Sequence, residues 1–238
     1  MSSHPEYAAQ VDRIVDNLKT FQHIAATANL DTPVPSCGAW TLTDLLKHIA
    51  DVTTFWNAVI DADGEAPPPS ERSADPEPIS VRLEAGIAGL HDRLQQGDTT
   101  RDIWTWMGPQ PINPWLARRL CSEIGIHLWD ARNAIDASPT AIEPTAAVDA
   151  IHEYFETITF TKAPSDSVHL HATDIDGEWF ITADADGRRI GTNEHAKGAV
   201  AVRGTASDLL LLLWGRVSAS SLETFGEVGI LDAWLKPV

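Results

Sequence analysis

Between residues 6 and 132 the apolar side chains recur at helical spacing in four successive segments, with no strand-like signal among them. In the first, residues 6–29, Val11, Ile14, Val15, Leu18, Phe21, Ala25 and Ala28 keep the 3.6-residue period. Asp31-Thr32-Pro33-Val34-Pro35 interrupts it. The second opens at Thr41 and Asp44, which have capping-box spacing with Asp in place of Glu or Gln. Leu45, Val52, Phe55 and Val59 form its stripe. A third helix is expected over 80–96, with Leu83, Ile87, Leu90 and Leu94 in phase. A fourth starts at Asn113-Pro114, an N-cap residue followed by a first-turn proline, and carries Leu116, Leu120, Ile124 and Ala131. Four amphipathic helices imply a four-helix bundle. The proline-rich, acidic stretch 62–79 is a long loop, so simple up-down connectivity does not follow.

After Ala137-Ser138-Pro139 the pattern changes. One more helix is expected over 145–161. Short strand-like runs follow at 168–171, 178–182, 188–191 and 199–203, with Asp176-Gly177 and Asp186-Gly187 as turn signals. A helix from Ser207-Asp208 to Trp214 and a last helical piece from Ser221 to Leu235 complete this half. The expected fold class is a two-domain α+β protein. Residues 1–140 form the helical bundle, and residues 141–238 a small α+β domain with an antiparallel sheet.

Several function classes are disfavoured. A formal net charge of −17 repels nucleic-acid phosphates and anionic membrane surfaces. No apolar run approaches the about 18 residues of a membrane span. The N-terminus lacks a basic stretch followed by an apolar one, and two cysteines make no disulfide framework. A cytoplasmic protein acting on small molecules is the expectation. Cys37 and Cys121 read as small buried hydrophobes.

Three side chains stand out against this background. Glu123 and His127 are four residues apart in the fourth helix, hence one turn apart on one face, on or beside its apolar stripe. His48 interrupts the stripe of the second helix between Leu45 and Val52. Each has an ordinary alternative: a hydrogen-bonded pair for Glu123 and His127, a core histidine for His48. Taken together, two imidazoles and one carboxylate suit zinc or a related divalent ion, and three protein ligands leave a coordination position open for chemistry. Trp104, Trp106 and Trp115 either line a pocket mouth or close the end of the bundle.

At these residues the chain resembles the mycothiol-dependent maleylpyruvate isomerase family of actinobacteria. The first matching run is Cys37-Gly38-Ala39-Trp40-Thr41, then Asp44-Leu45, then His48; Gly38-Ala39 departs from the family's Pro-Gly. The second is Arg119, Glu123, His127, Trp129, Asp130 and Ala131. A third lies in His171-Ala172-Thr173-Asp174, Asp176-Gly177-Glu178-Trp179 and the run from Ala206 to Arg216. The resemblance implies a DinB-like metal-binding bundle and a sterol-carrier-like C-terminal domain. It implies a divalent metal, with Zn2+ expected, on His48, Glu123 and His127, and mycothiol as cosubstrate.

On that resemblance the expected chemistry is activation of a thiolate for attack on an electrophilic small molecule. The outcome is cis-trans isomerisation of a maleylpyruvate-type substrate or S-transfer. Trp40, Trp104 and Trp106 are the expected contacts for the thiol cosubstrate. Arg216 is the expected catalytic cation, with Arg119 second to it and Arg188 a weaker candidate; a surface ion pair is the ordinary alternative for each. Asp130, one turn beyond His127, either orients that ligand or pairs with a surface cation. Two other classes stay open: a non-catalytic carrier or sensor of the same fold, and a metal-dependent hydrolase.

Overall fold

A computed structural model describes residues 7–67, 77–136, 138–157, 166–183, 189–192 and 195–231. The chain divides into two compact units, Met1–Thr140 and Ala141–Val238.

The first unit holds four long helices: α1 (Tyr7–Thr27), α2 (Leu42–Asp61), α3 (Ile79–Gln96) and α4 (Ala117–Ile135). Their apolar faces meet in one core that includes Ile14, Leu18 and Phe21 of α1, Leu45, Leu46 and Ile49 of α2, Leu83, Leu90 and Leu94 of α3, and Leu120 and Ile124 of α4. α1 packs on α3 and α4, and α2 packs on α3 and α4. The adjacency of α2 and α4 is what the helical periodicities leave open. The α2–α3 contact is close: a Cβ added at Gly86 would lie 2.1 Å from Thr53 Oγ1, and Thr53 is fully buried.

Three local expectations shift. The stripe of α2 runs through Leu42, Leu45, Leu46, Ile49, Ala50, Thr53, Trp56, Val59 and Ile60, so Val52, Phe55 and His48 fall at its edge. Regular α4 begins at Ala117, after an irregular turn over Ile112–Leu116 in which Asn113 is extended (φ −110°, ψ 119°). The loop before it contains a two-residue antiparallel pair, β1 (Asp102–Ile103) with β2 (Gln110–Pro111), anchored by the fully buried Ile103. The Thr41–Asp44 pair forms as expected at the start of α2: the backbone N–H and hydroxyl of Thr41 both donate to Asp44 Oδ2, at 3.0 and 2.9 Å. These bonds hold the Asp44 carboxyl below its ordinary pKa.

The second unit contains α5 (Pro144–Thr157), β3 (Val168–Ala172), β4 (Glu178–Ala183), β5 (Arg189–Thr192), β6 (Val200–Gly204), α6 (Ala206–Leu213) and β7 (Glu223–Gly226). The strands form one sheet in the order β5-β4-β3-β6-β7. Three pairings are antiparallel, but β3 and β6 run parallel, with His169 opposite Ala201. The reason is topological: β6 docks on the free edge of β3 rather than continuing the meander beyond β5. Thr205 caps α6, its hydroxyl accepting from Asp208 N at 3.1 Å.

The helix expected over 221–235 is not formed in its first part. Glu223–Gly226 is instead an antiparallel strand on β6, with Thr224 opposite Val202. Pairing there satisfies the backbone groups along the β6 edge, which a helix over the same residues would leave unpaired, and this overrides local propensity. Gly226 takes φ +87°, where an added Cβ would lie 2.3 Å from the Ala199 carbonyl oxygen. The second turn signal, Asp186-Gly187, lies outside the described residues, as do Arg188, the centre of the proline-rich loop and the end of the chain. Among the described residues no helix is long and apolar enough to cross a membrane.

Candidate metal centre

The site lies where α2 faces α4. Helical spacing puts Glu123 and His127 one turn apart on α4, and the α2–α4 contact brings His48 to them. His48 Nε2 lies 3.1 Å from Glu123 Oε1, and His127 Nε2 lies 3.5 Å from the same oxygen. A tetrahedral ion with bonds of about 2.0–2.1 Å has ligand–ligand edges of about 3.3–3.4 Å. Two of the three donor–donor separations lie close to that edge, and all three donor atoms lie within 4.8 Å of one another, so this donor set can meet at a first-row divalent ion.

Further contacts orient His127 and Glu123. His127 Nδ1 lies 2.9 Å from Asp130 Oδ2, and Asp130 is fully buried. A proton on Nδ1 shared with this carboxylate leaves Nε2 directed at Glu123. Asp130 is held from the loop before α2: Ser36 Oγ donates to Oδ1 at 2.6 Å, and Cys37 Sγ lies 3.4 Å from Oδ2. Arg119, one turn before Glu123, bonds its Oε2 and leaves Oε1 to the histidines. Trp40 covers the imidazoles, with ring centroids 5.3 Å from His48 and 6.4 Å from His127. The loop carrying Ser36, Cys37 and Trp40 is closed by Val34 N–H to Trp40 O at 2.8 Å and Leu42 N–H to Thr32 O at 2.9 Å. It turns through Gly38 at φ +65°, a left-handed conformation that favours glycine.

Electrostatics follow from this packing. Burial works against a charged Glu123, but hydrogen bonds with His127 and His48 and the charge of Arg119 outweigh it; the carboxyl lies well below its ordinary pKa. Burial likewise works against a charged His127, but Asp130, Cys37 and Glu123 outweigh it and raise this imidazole well above its ordinary value. The two shifts together favour a protonated His127 beside an ionised Glu123.

The chain carries a family signature over most of its length. The Mycothiol maleylpyruvate isomerase N-terminal domain matches residues 11–132, and the MDMPI C-terminal domain matches residues 145–233. The chain belongs to the mycothiol maleylpyruvate isomerase family. It is therefore a member of an enzyme family. Two solved structures share the fold. One is a histidine-to-alanine mutant of the mycothiol-dependent maleylpyruvate isomerase (TM-score 0.58, 11% identity, 94% of this chain and 95% of that chain covered). The other is the mycothiol-dependent maleylpyruvate isomerase itself (TM-score 0.53, 12% identity, the same coverage). No curated protein gives a significant match.

The other expected site residues are placed as follows. Trp104 packs half-buried against the bundle core. Trp106 is exposed and lies 6.2 Å from Trp56 and 5.9 Å from Trp115, ring centroid to centroid, in a tryptophan cluster. Arg216 follows α6 in the second unit, its Nη1 donating to the Trp214 carbonyl at 2.8 Å. Arg188 lies outside the described residues. Ser36 and Cys37 reach Asp130 from more than 90 positions away, a contact that no spacing along the chain signals. The only signal was the position of Cys37 within the first family motif.

Proposed function

We propose that this member of the mycothiol maleylpyruvate isomerase family is a metal-dependent enzyme that uses mycothiol to attack an electrophilic small molecule. The observation that carries the reading is the convergence of His48 Nε2 and His127 Nε2 on Glu123 Oε1, at 3.1 and 3.5 Å. His48, Glu123 and His127 would hold the ion, with Zn2+ suiting the donor set. Bound there, a divalent ion supplies the Lewis acidity that keeps a thiol sulfur deprotonated at neutral pH.

The chain's own groups prepare that chemistry. Asp130 keeps His127 in the tautomer that presents Nε2. Arg119 neutralises the second oxygen of Glu123 and holds its rotamer. Trp40 shields the imidazoles from water on one side and offers an apolar face to the thiol cosubstrate.

For an activated alkene, the thiolate sulfur bonds to the electrophilic carbon and the π pair moves into the adjoining carbonyl as an enolate. Rotation about the new single bond and collapse of the enolate expel the thiolate, giving the trans isomer with no net change in the thiol. Where a leaving group is present, the same attack ends in S-transfer. Arg216 is the proposed cation for the substrate's carboxylate or enolate.

The test combines metal analysis with a thiol-consumption and isomerisation assay using mycothiol, maleylpyruvate and a panel of other electrophiles. Near-stoichiometric metal and turnover that depends on both metal and mycothiol are expected. Metal binding without turnover on any electrophile would favour a binding protein, and turnover without added thiol would favour hydrolysis.

A further inference from the structure

The second unit gathers a separate set of donors. In β3, His169 and His171 are two residues apart and so share one face of the strand. Glu178 of β4 is paired directly opposite His171, and His195 reaches the same carboxylate from the segment after β5. His171 Nδ1 lies 2.5 Å from Glu178 Oε1, His195 Nδ1 lies 2.8 Å from Oε2, and His169 Nε2 lies 3.7 Å from Oε2. One donor atom from each of the four residues lies within 4.8 Å of all the others.

Hydrogen bonding alone does not complete this cluster. Glu178 is shared by His171 and His195, which leaves Nε2 of His169 with no hydrogen-bond partner. His169 is only 7% exposed, and that nitrogen points at the carboxylate. A buried polar atom normally has a partner, and an imidazole nitrogen facing a carboxylate and two further imidazoles is suited to a cation. The opposite face of the strand pair explains why the cluster is not simply core. Leu170 and its partner Trp179 are buried there, and Trp179 meets His152 of α5 at 5.8 Å between ring centroids.

We propose that His169, His171, Glu178 and His195 form a second divalent-metal site, distinct from the one on the bundle. Three imidazoles and a carboxylate are a complete tetrahedral set for Zn2+ or a similar ion, with no position left over for chemistry. The ion would be structural. It would fasten the exposed His195 segment to the β3–β4 hairpin, and His195, being exposed, has the freedom to close on it.

The full-length protein is loaded with Zn2+ alone and its bound metal measured after desalting, in wild type, in His48→Ala/His127→Ala and in His171→Ala/His195→Ala. The expected contents are about two, one and one ions per chain, respectively. Co2+ substitution of the His48→Ala/His127→Ala variant should give the intense visible bands of a tetrahedral site, and they should vanish when His171 and His195 are also replaced. Because replacement of these residues could disturb the sheet, anomalous diffraction from Zn2+-soaked wild-type crystals gives an independent reading, with a peak expected between His169 Nε2 and Glu178. A wild type that holds only the bundle ion, or a soaked crystal with no peak at His169, overturns the proposal.

Discussion

The Nδ1 atom of His127 and the Oδ2 atom of the fully buried Asp130 stand 2.9 Å apart, one helical turn along α4. Asp130 would therefore act on a metal held by His127 only through that imidazole. Removing its charge while keeping its shape, as in Asp130→Asn, should weaken Zn2+ binding about 10–100-fold. Competition with a chromophoric chelator measures this. Unchanged affinity would mean that Asp130 only packs the loop of Ser36 and Cys37.

Replacing a ligand is a stronger change than replacing its support. His48→Ala and His127→Ala should each abolish binding of the bundle ion and, with it, mycothiol-dependent turnover. Any ion held at the sheet cluster should remain, so elemental analysis is best read by difference from the wild type. Retention of the bundle ion in His48→Ala would remove α2 from the site.

Arg119 and Glu123 form an ion pair within one turn of α4. Arg119→Met should let the Glu123 carboxyl rise from its depressed pKa, because the guanidinium charge that helps to lower it is gone. In metal-free protein the stabilising contribution of ionised Glu123 should then be lost at higher pH than in wild type. Acid unfolding of the metal-free protein, followed by circular dichroism, shows whether the midpoint moves upward.

Proton linkage at His127 has a definite sign. Its folded-state pKa is raised, so in metal-free protein its stabilising contribution is complete below its unfolded value near 6.5 and is lost as pH rises through the folded value. The depressed Glu123 acts oppositely: its contribution is present above the ordinary carboxylate range and is lost as pH falls through the folded value. Metal must displace the His127 proton, so calorimetry in buffers of different ionisation enthalpy should show release of about one proton per ion near neutrality, declining at higher pH. Absence of proton release would show that His127 is already neutral.

The bundle's stability has a sensitive point at Gly86, where a Cβ would fall 2.1 Å from Thr53 Oγ1 and 2.8 Å from its Cβ. Gly86→Ala gains helix propensity but forces α2 and α3 apart. The expected net loss is about 1–3 kcal/mol, measured by urea unfolding of the metal-free protein. A stabilised variant would show that the α2–α3 contact opens at no cost.

The features readable in the chain were those set by spacing along it. Helical periodicity located α1 to α4 because each buries one face, and the four-residue interval placed Glu123 beside His127 because that distance is a property of the helix itself. The Thr41–Asp44 contact and the Asp176-Gly177 turn between β3 and β4 are likewise local. The stripe of α2 was misplaced by part of a turn because apolar residues occur on both sides of His48, and only packing selects which of them are buried.

Tertiary structure decided what joins residues far apart. It placed α2 against α4 and so brought His48 to Glu123; it made β3 and β6 parallel; it drew Glu223–Gly226 into a strand; and it set His195 beside Glu178. None of these follows from a repeat or a spacing. Each depends on which arrangement buries the most apolar surface and satisfies the most backbone hydrogen bonds across the whole unit, a sum over distant residues that no short segment contains.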